Sequence, residues 1–146
     1  MPQNFRSAVH LFFFDSEGRT LLSLRRNTGY MDDWYSVVAG HLEPGETVVQ
    51  AGLREAREEV GATLKLEDIE VVGVMHRKDG EERIDFFARV HAWDGELTNM
   101  EPEKCVHIAW FEPEILPEKT VPYIRQAFYN FFQKRWFDTF GWDPRA

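Results

Sequence analysis

Glu55, Glu58 and Glu59 stand at positions i, i+3 and i+4, a spacing that on a helix brings three carboxylates together within one turn. Like charges held that close destabilise a helix by about 0.2–0.5 kcal/mol per pair, so folding gains nothing from them. Chemistry can. Hard divalent cations such as Mg²⁺ and Mn²⁺ prefer carboxylate oxygens, and Mg²⁺ is generally held by a few carboxylates together with substrate phosphates and water. Val48, Ala51 and Gly52 precede the glutamates on the same side; two of the three are very small, which predicts room for a bulky anionic ligand and its cations. Three glutamates alone are ordinarily a solvated acidic face. The residues around them argue otherwise.

The segment from Gly40 to Ala62 reads GHLEPGETVVQAGLREAREEVGA. A turn containing Gly40, Pro44 and Gly45 leads to Glu46 and Thr47, after which helical periodicity runs until Gly61 stops it. At about 100° per residue, Val49, Leu53, Ala56 and Val60 share one face, the face expected to press on a sheet. The order is glycine, five residues, glutamate, seven residues, Arg-Glu, a small apolar residue, any residue, Glu-Glu, any residue, glycine and an apolar residue. It resembles the box of the Nudix family at every fixed position: Gly40, Glu46, Arg54, Glu55, Glu58, Glu59 and Gly61. Ala56 and Ala62 are smaller than the aliphatic residues often found at the two apolar places.

That resemblance implies hydrolysis of a nucleoside diphosphate linked to another group, X, by attack of water on phosphorus, with Mg²⁺ or Mn²⁺ as cofactor. Carried over by position, Glu58 and Glu59 are expected as metal ligands, Glu55 as ligand or proton acceptor, and the Ala39 carbonyl as a further ligand. Arg54 is expected to orient a glutamate, and Glu46 to cap free backbone N–H groups in the first helical turn and organise the loop. One more carboxylate is expected from outside the box, with Glu81, Glu82, Glu101 and Glu103 as candidates and Glu101 preferred. Arg26, Asn99, Glu101 and Lys104 are the expected substrate-binding residues. The chain outside the box suggests a MutT-like nucleoside triphosphate pyrophosphohydrolase releasing a monophosphate and pyrophosphate. ADP-ribose or a dinucleoside polyphosphate is the alternative substrate, and a non-catalytic nucleotide-binding module a further one, disfavoured by the intact box. An isopentenyl diphosphate isomerase is disfavoured because its extra catalytic cysteine has no clear counterpart in Cys105.

The rest of the chain must position these groups. Its 146 residues suit a single domain, 1–146, and 43% hydrophobic with 14% aromatic residues is a globular composition. A net charge of −8 with no basic stripe argues against polymeric nucleic acid as partner; a small nucleotide neutralised by metal remains compatible. The one cysteine, Cys105, excludes an intrachain disulfide, and no apolar run reaches membrane-spanning length. A cytoplasmic protein with no membrane partner is expected. Strands are expected at Phe5–Asp15 and Thr20–Arg26 as a hairpin, Trp34–Ala39, Ile69–Arg77 and Arg83–Ala92 joined through Asp79-Gly80, and Cys105–Phe111. Leu11–Phe14 is an unbroken apolar run, as in a strand covered on both faces. A short turn over Glu112–Leu116 and an amphipathic helix from Val121 to Phe137 close the chain. Strands around one helix with a second at the end give an α/β fold, an α/β/α sandwich about a central mixed β-sheet, which matches the Nudix fold. Trp136, Phe137, Phe140 and Trp142 are expected to pack over the outer face of the sheet or to anchor a homodimer; the resemblance admits both monomers and homodimers.

Overall fold

The computed structural model describes residues 2–143. Its elements are strands β1 (Arg6–Phe13), β2 (Thr20–Arg25), β3 (Tyr35–Ser36) and β4 (Val38–His41), helix α1 (Val48–Val60), strands β5 (Ile69–Asp79), β6 (Glu81–Val90) and β7 (Cys105–Phe111), helix α2 (Pro122–Phe132) and strand β8 (Phe137–Phe140). A five-stranded mixed sheet has the order β4-β1-β6-β5-β8, and a three-stranded antiparallel sheet the order β3-β2-β7.

β1 is the middle layer of the sandwich. Val9, Leu11 and Phe13 face one apolar cluster with Ala51, Ala56 and Val60 of α1, and Phe12 faces a second with Ile124, Ala127 and Phe128 of α2. Period-two alternation thus sends one apolar run into two cores. Phe12 and Phe128 stack at 4.3 Å. The small residues of α1 serve this packing: Ala51 is fully buried, and a Cβ at Gly52 would lie 3.0 Å from Ile69 Cδ1 and 3.3 Å from Leu11 Cδ2. They bring the helix close to the sheet and open no space for ligand, contrary to the sequence expectation.

Three other expectations change. β1 and β2 are not a hairpin but lie in different sheets, joined by an isolated bridge between Phe14 and Thr20, because β1 finds longer ladders with β4 and β6. The Trp34–Ala39 run is split at Val37, where the chain passes from the small sheet into the large one. α2 ends at Phe132 rather than Phe137: Lys134 takes a left-handed conformation (φ 58°) and the chain returns as β8, parallel to β5. The aromatic tail is therefore an edge strand rather than a cover over the sheet's face. Asn130 donates to Asp138 (2.9 Å), Trp142 donates to the His76 carbonyl (3.0 Å), and Trp136 and Phe137 remain more than half exposed. β5 and β6 meet as expected in a tight hairpin at Gly80, longer at both ends of the turn than the sequence suggests.

Candidate active site

α1 is fixed locally at both ends. Thr47 Oγ1 accepts from Gln50 N while the Gln50 side chain accepts from Thr47 N, a reciprocal cap, and Gly61 closes the helix in the left-handed region (φ 71°). Glu46, expected to cap the first turn and to organise the loop, lies just outside the helix, whose cap is Thr47. Its carboxylate accepts from Glu43 N (2.9 Å) and from Arg54 Nε (2.7 Å) and Nη2 (2.9 Å), and these bonds hold it down to a pKa of about 2. Arg54 also donates to Glu55 Oε1 (2.6 Å), Glu58 Oε2 (3.3 Å) and the His41 carbonyl (3.0 Å). The guanidinium ties the turn to the helix and bonds both Glu55 and Glu58.

Gly40 leaves room for Glu55. Its position on β4 faces Glu55, and a Cβ there would lie 2.0 Å from Glu55 Oε1. Glu55 is buried, Glu58 is half exposed, and Glu59 is tucked against β4, where its Oε2 accepts from Ala39 N at 3.2 Å. Burial, and then the hydrogen-bonded Glu55 carboxylate, push the Glu59 carboxyl well above the ordinary glutamate range. In an antiparallel strand the N–H and C=O of one residue point the same way, so the Ala39 carbonyl also turns from β1 towards the free edge of the sheet. Glu101 arrives from the loop before β7; burial, with Glu55 and Glu58 nearby, raises its pKa too.

These groups line a cleft of about 290 Å³ that contains Glu55, Glu58, Glu59 and Glu101 on one side, with Arg25 and Lys104 also on its lining. Oxygen donors of this kind suit a hard divalent cation. Among the described residues no three His, Cys, Asp or Glu side chains are gathered closely enough to hold a metal as they stand; Arg54 draws Glu55 and Glu58 to itself, and Glu59 turns to Ala39.

The NUDIX domain family matches residues 4–131. The chain belongs to the Nudix family. Similar proteins include an RNA pyrophosphohydrolase of Erythrobacter litoralis, 25% identical over 85% of this chain and 86% of that protein. An isopentenyl-diphosphate Delta-isomerase of Nocardia farcinica is 26% identical over 77% of this chain and 66% of that protein. Among solved structures, a MutT NUDIX hydrolase from Burkholderia pseudomallei is 25% identical with a TM-score of 0.77, covering 87% of this chain and 98% of that one. A MutT protein from Methanosarcina mazei has the same fold at 17% identity and a TM-score of 0.76, covering 92% and 97%. The chain is thus a MutT-like Nudix hydrolase with the family's mixed α/β fold, and the family is generally dependent on a divalent metal.

Within this Nudix hydrolase the expected substrate residues separate. Lys104 and Glu101 line the carboxylate cleft. Asn99 does not: its amide donates to the Cys105 carbonyl (2.7 Å) and accepts from Glu101 N (3.1 Å), shaping the loop that presents Glu101. Arg26 is bound to the Pro102 carbonyl and lines no described cleft. Its neighbour Arg25 does, fixed by the Tyr30 carbonyl (2.8 Å) and Thr28 Oγ1 (3.0 Å) and without a carboxylate in ion-pair range among the described residues. Glu81 pairs with Arg83 at 2.9 Å and Glu82 accepts from Gln3 at 2.6 Å, both away from the cleft. Cys105 lines the cleft with its thiol pushed up by burial. Among the described residues no helix is long and apolar enough to cross a membrane.

Sequence reasoning missed a second cleft of about 600 Å³ on the other face of β4, sharing Arg25, Thr28, Ala39 and Lys104 with the first. Its floor holds a buried pair, Arg77 Nε to Asp85 Oδ2 at 2.6 Å, with Arg77 lying 3.7 Å over the Tyr123 ring and His10 bonded to Tyr123 Oη at 3.1 Å. Charged residues inside two otherwise strand-like runs were the available signal.

Proposed function

We propose that this single-domain protein cleaves a phosphoric anhydride in a nucleoside diphosphate linked to X, with a nucleoside triphosphate as the first substrate to consider, yielding a nucleoside monophosphate and pyrophosphate. One observation carries the reading: four carboxylates, Glu55, Glu58, Glu59 and Glu101, share a cleft with the cations Arg25 and Lys104, which have no carboxylate in ion-pair range among the described residues. A site of one sign alone would serve either a metal or a phosphate; this one has groups for both.

Glu58, Glu59, Glu101 and the Ala39 carbonyl are the groups suited to hold Mg²⁺ or Mn²⁺. When bound, the cation neutralises the polyphosphate and makes its phosphorus open to attack by water. Arg54, anchored by Glu46 and His41, keeps Glu55 pointed into the cleft. Glu55, left out of that ligand set, is the carboxylate placed to take the proton given up by the attacking water. Arg25 and Lys104 stabilise the charge that builds on the departing phosphates.

The test is a panel of nucleotides with Mg²⁺ or Mn²⁺, scoring pyrophosphate against inorganic phosphate, with and without excess chelator. Pyrophosphate release that vanishes with chelator is expected; undiminished turnover in chelator refutes the metal reading, and phosphate release refutes the bond assigned. A 5′-triphosphorylated RNA end is the second reading, favoured by the similarity to the RNA pyrophosphohydrolase and opposed, for long RNA, by the net charge of −8.

A further inference from the structure

The second cleft is built around an arrangement that folding alone does not favour. Arg6 of β1 is in register with Arg83 of β6, and Arg83 is in register with Arg77 of β5, so three arginines stand side by side across three neighbouring strands. Like charges directly opposite one another destabilise a sheet. Arg77 is neutralised by Asp85 and, at 3.6 Å, by Asp79. Among the described residues Arg6 and Arg83 have only Glu81 between them, at 3.6 and 2.9 Å, and that carboxylate is half exposed at the tip of the β5–β6 hairpin. The Nε of Arg83 is buried without a hydrogen-bond partner.

The whole cleft is lined by five cationic side chains, Arg6, Arg25, Arg77, Arg83 and Lys104, against the two carboxylates of Asp79 and Asp85. In a chain of net charge −8 this is a local reversal of sign, and it has two poles. Arg25 and Lys104 form the first, where the cleft joins the glutamates. Arg6 and Arg83 form the second. Ala39, which lines both clefts, pairs with His10, four residues along β1 from Arg6, so the second pole stands about 13 Å of strand from the junction of the clefts, and a ligand larger than a single phosphate is needed to reach from one to the other. Glu81 demonstrates that the second pole accepts an anion, and a phosphate, with more charge and more acceptors than a carboxylate, is the stronger claimant.

The geometry points to a substrate that carries a second phosphate one nucleoside away from the scissile anhydride, read by Arg6 and Arg83. This rests on the anhydride-cleaving reading above and narrows the nucleoside half of its substrate. The second phosphate is either a monoester on the ribose or the diester that begins a short oligonucleotide. A nucleoside triphosphate with nothing beyond its ribose leaves this pole empty.

Calorimetric binding in the presence of chelator tests the assignment without turnover, using AMP, adenosine 3′,5′-bisphosphate and the 5′-phosphorylated dinucleotide pApA with the full chain. At least one of the two larger ligands is expected to bind about tenfold or more tighter than AMP, the size of a good charge-assisted contact. Whichever is tighter identifies monoester or diester. Arg83→Gln and Arg6→Gln should each bring the ratio to AMP towards one; Arg6 is more than half exposed, so that variant does not depend on a buried side chain. Equal affinities in the unaltered protein, no detectable binding of any ligand, or a preference that survives both substitutions overturns the inference. If triphosphates release pyrophosphate while the preference is absent, only this inference fails. If the preference is present and no anhydride is cleaved, the assigned reaction fails and the phosphate pole stands.

Discussion

Gly40→Ala separates space from backbone freedom at the candidate site. Gly40 does not have a positive φ, so alanine meets no backbone strain there; the only obstacle is Glu55, whose Oε1, Cδ and Oε2 would lie 2.0, 2.2 and 2.6 Å from the new Cβ. Restoring an ordinary contact near 3.4 Å moves the carboxylate by about 1.4 Å, the scale of misplacement that costs about 10²-fold in rate. Stability changes by two opposing terms. Alanine gains about 0.4–1 kcal/mol by restricting the unfolded chain, whereas weakening the charged Arg54–Glu55 bond, on a carboxylate with 11% of its side chain exposed, costs about 1.5–3 kcal/mol. The balance is a loss of about 1–2 kcal/mol, or about 2–8 °C in Tm for a chain of this size. Steady-state pyrophosphate release and a thermal melt read both numbers. A Gly40→Ala protein with unaltered kcat/KM refutes the claim that Glu55 must sit against β4.

Glu58→Gln and Glu59→Gln should each lower kcat by orders of magnitude while leaving the metal-free Tm unchanged or higher, since each removes one of several crowded negative charges; a fall of many degrees identifies them as structural. His10 is buried and its pKa is lowered chiefly by that burial. The unfolded chain therefore binds the proton more readily, and stability is full above pH 6.5 and declines as pH falls below it; melts from pH 7.5 to 5 should show this slope, reduced in His10→Gln, and an identical slope in the variant contradicts it. Truncation after Gln133 removes β8 and the buried Asn130–Asp138 bond, so Tm should fall at every protein concentration, whereas a loss seen only on dilution assigns the tail to an interface between copies.

What the sequence disclosed depended on how local the cause was. α1 is written in adjacent residues, from the Thr47–Gln50 cap to Gly61, and β7 runs over the expected residues because its pattern is bounded by a loop on one side and Pro113 on the other. The pairing of β1 with β4 and β6 in place of β2 is decided by residues tens of positions away, and no local signal announces it. The end of α2 was hidden because Phe132 and Trp136 extend the apolar period past a turn made by Lys134, which is neither glycine nor proline. At the site, the box glutamates could be read from spacing, but choosing Arg25 over Arg26 needs the register of β2 on β7, where Arg25 stands opposite Cys105. The arginine row needs two registers at once.

The passage of the chain from one sheet to the other at Val37 has a mechanical consequence. The glutamates ride on α1 against the large sheet, while Arg25 belongs to β2 and Lys104 immediately precedes β7 in the small one. The two charges of the first cleft are thus carried by different sheets, which the chain joins at Val37 and again between β1 and β2 and between β6 and β7. A change in how the two sheets pack therefore alters the distance between the glutamates and the cations without touching either.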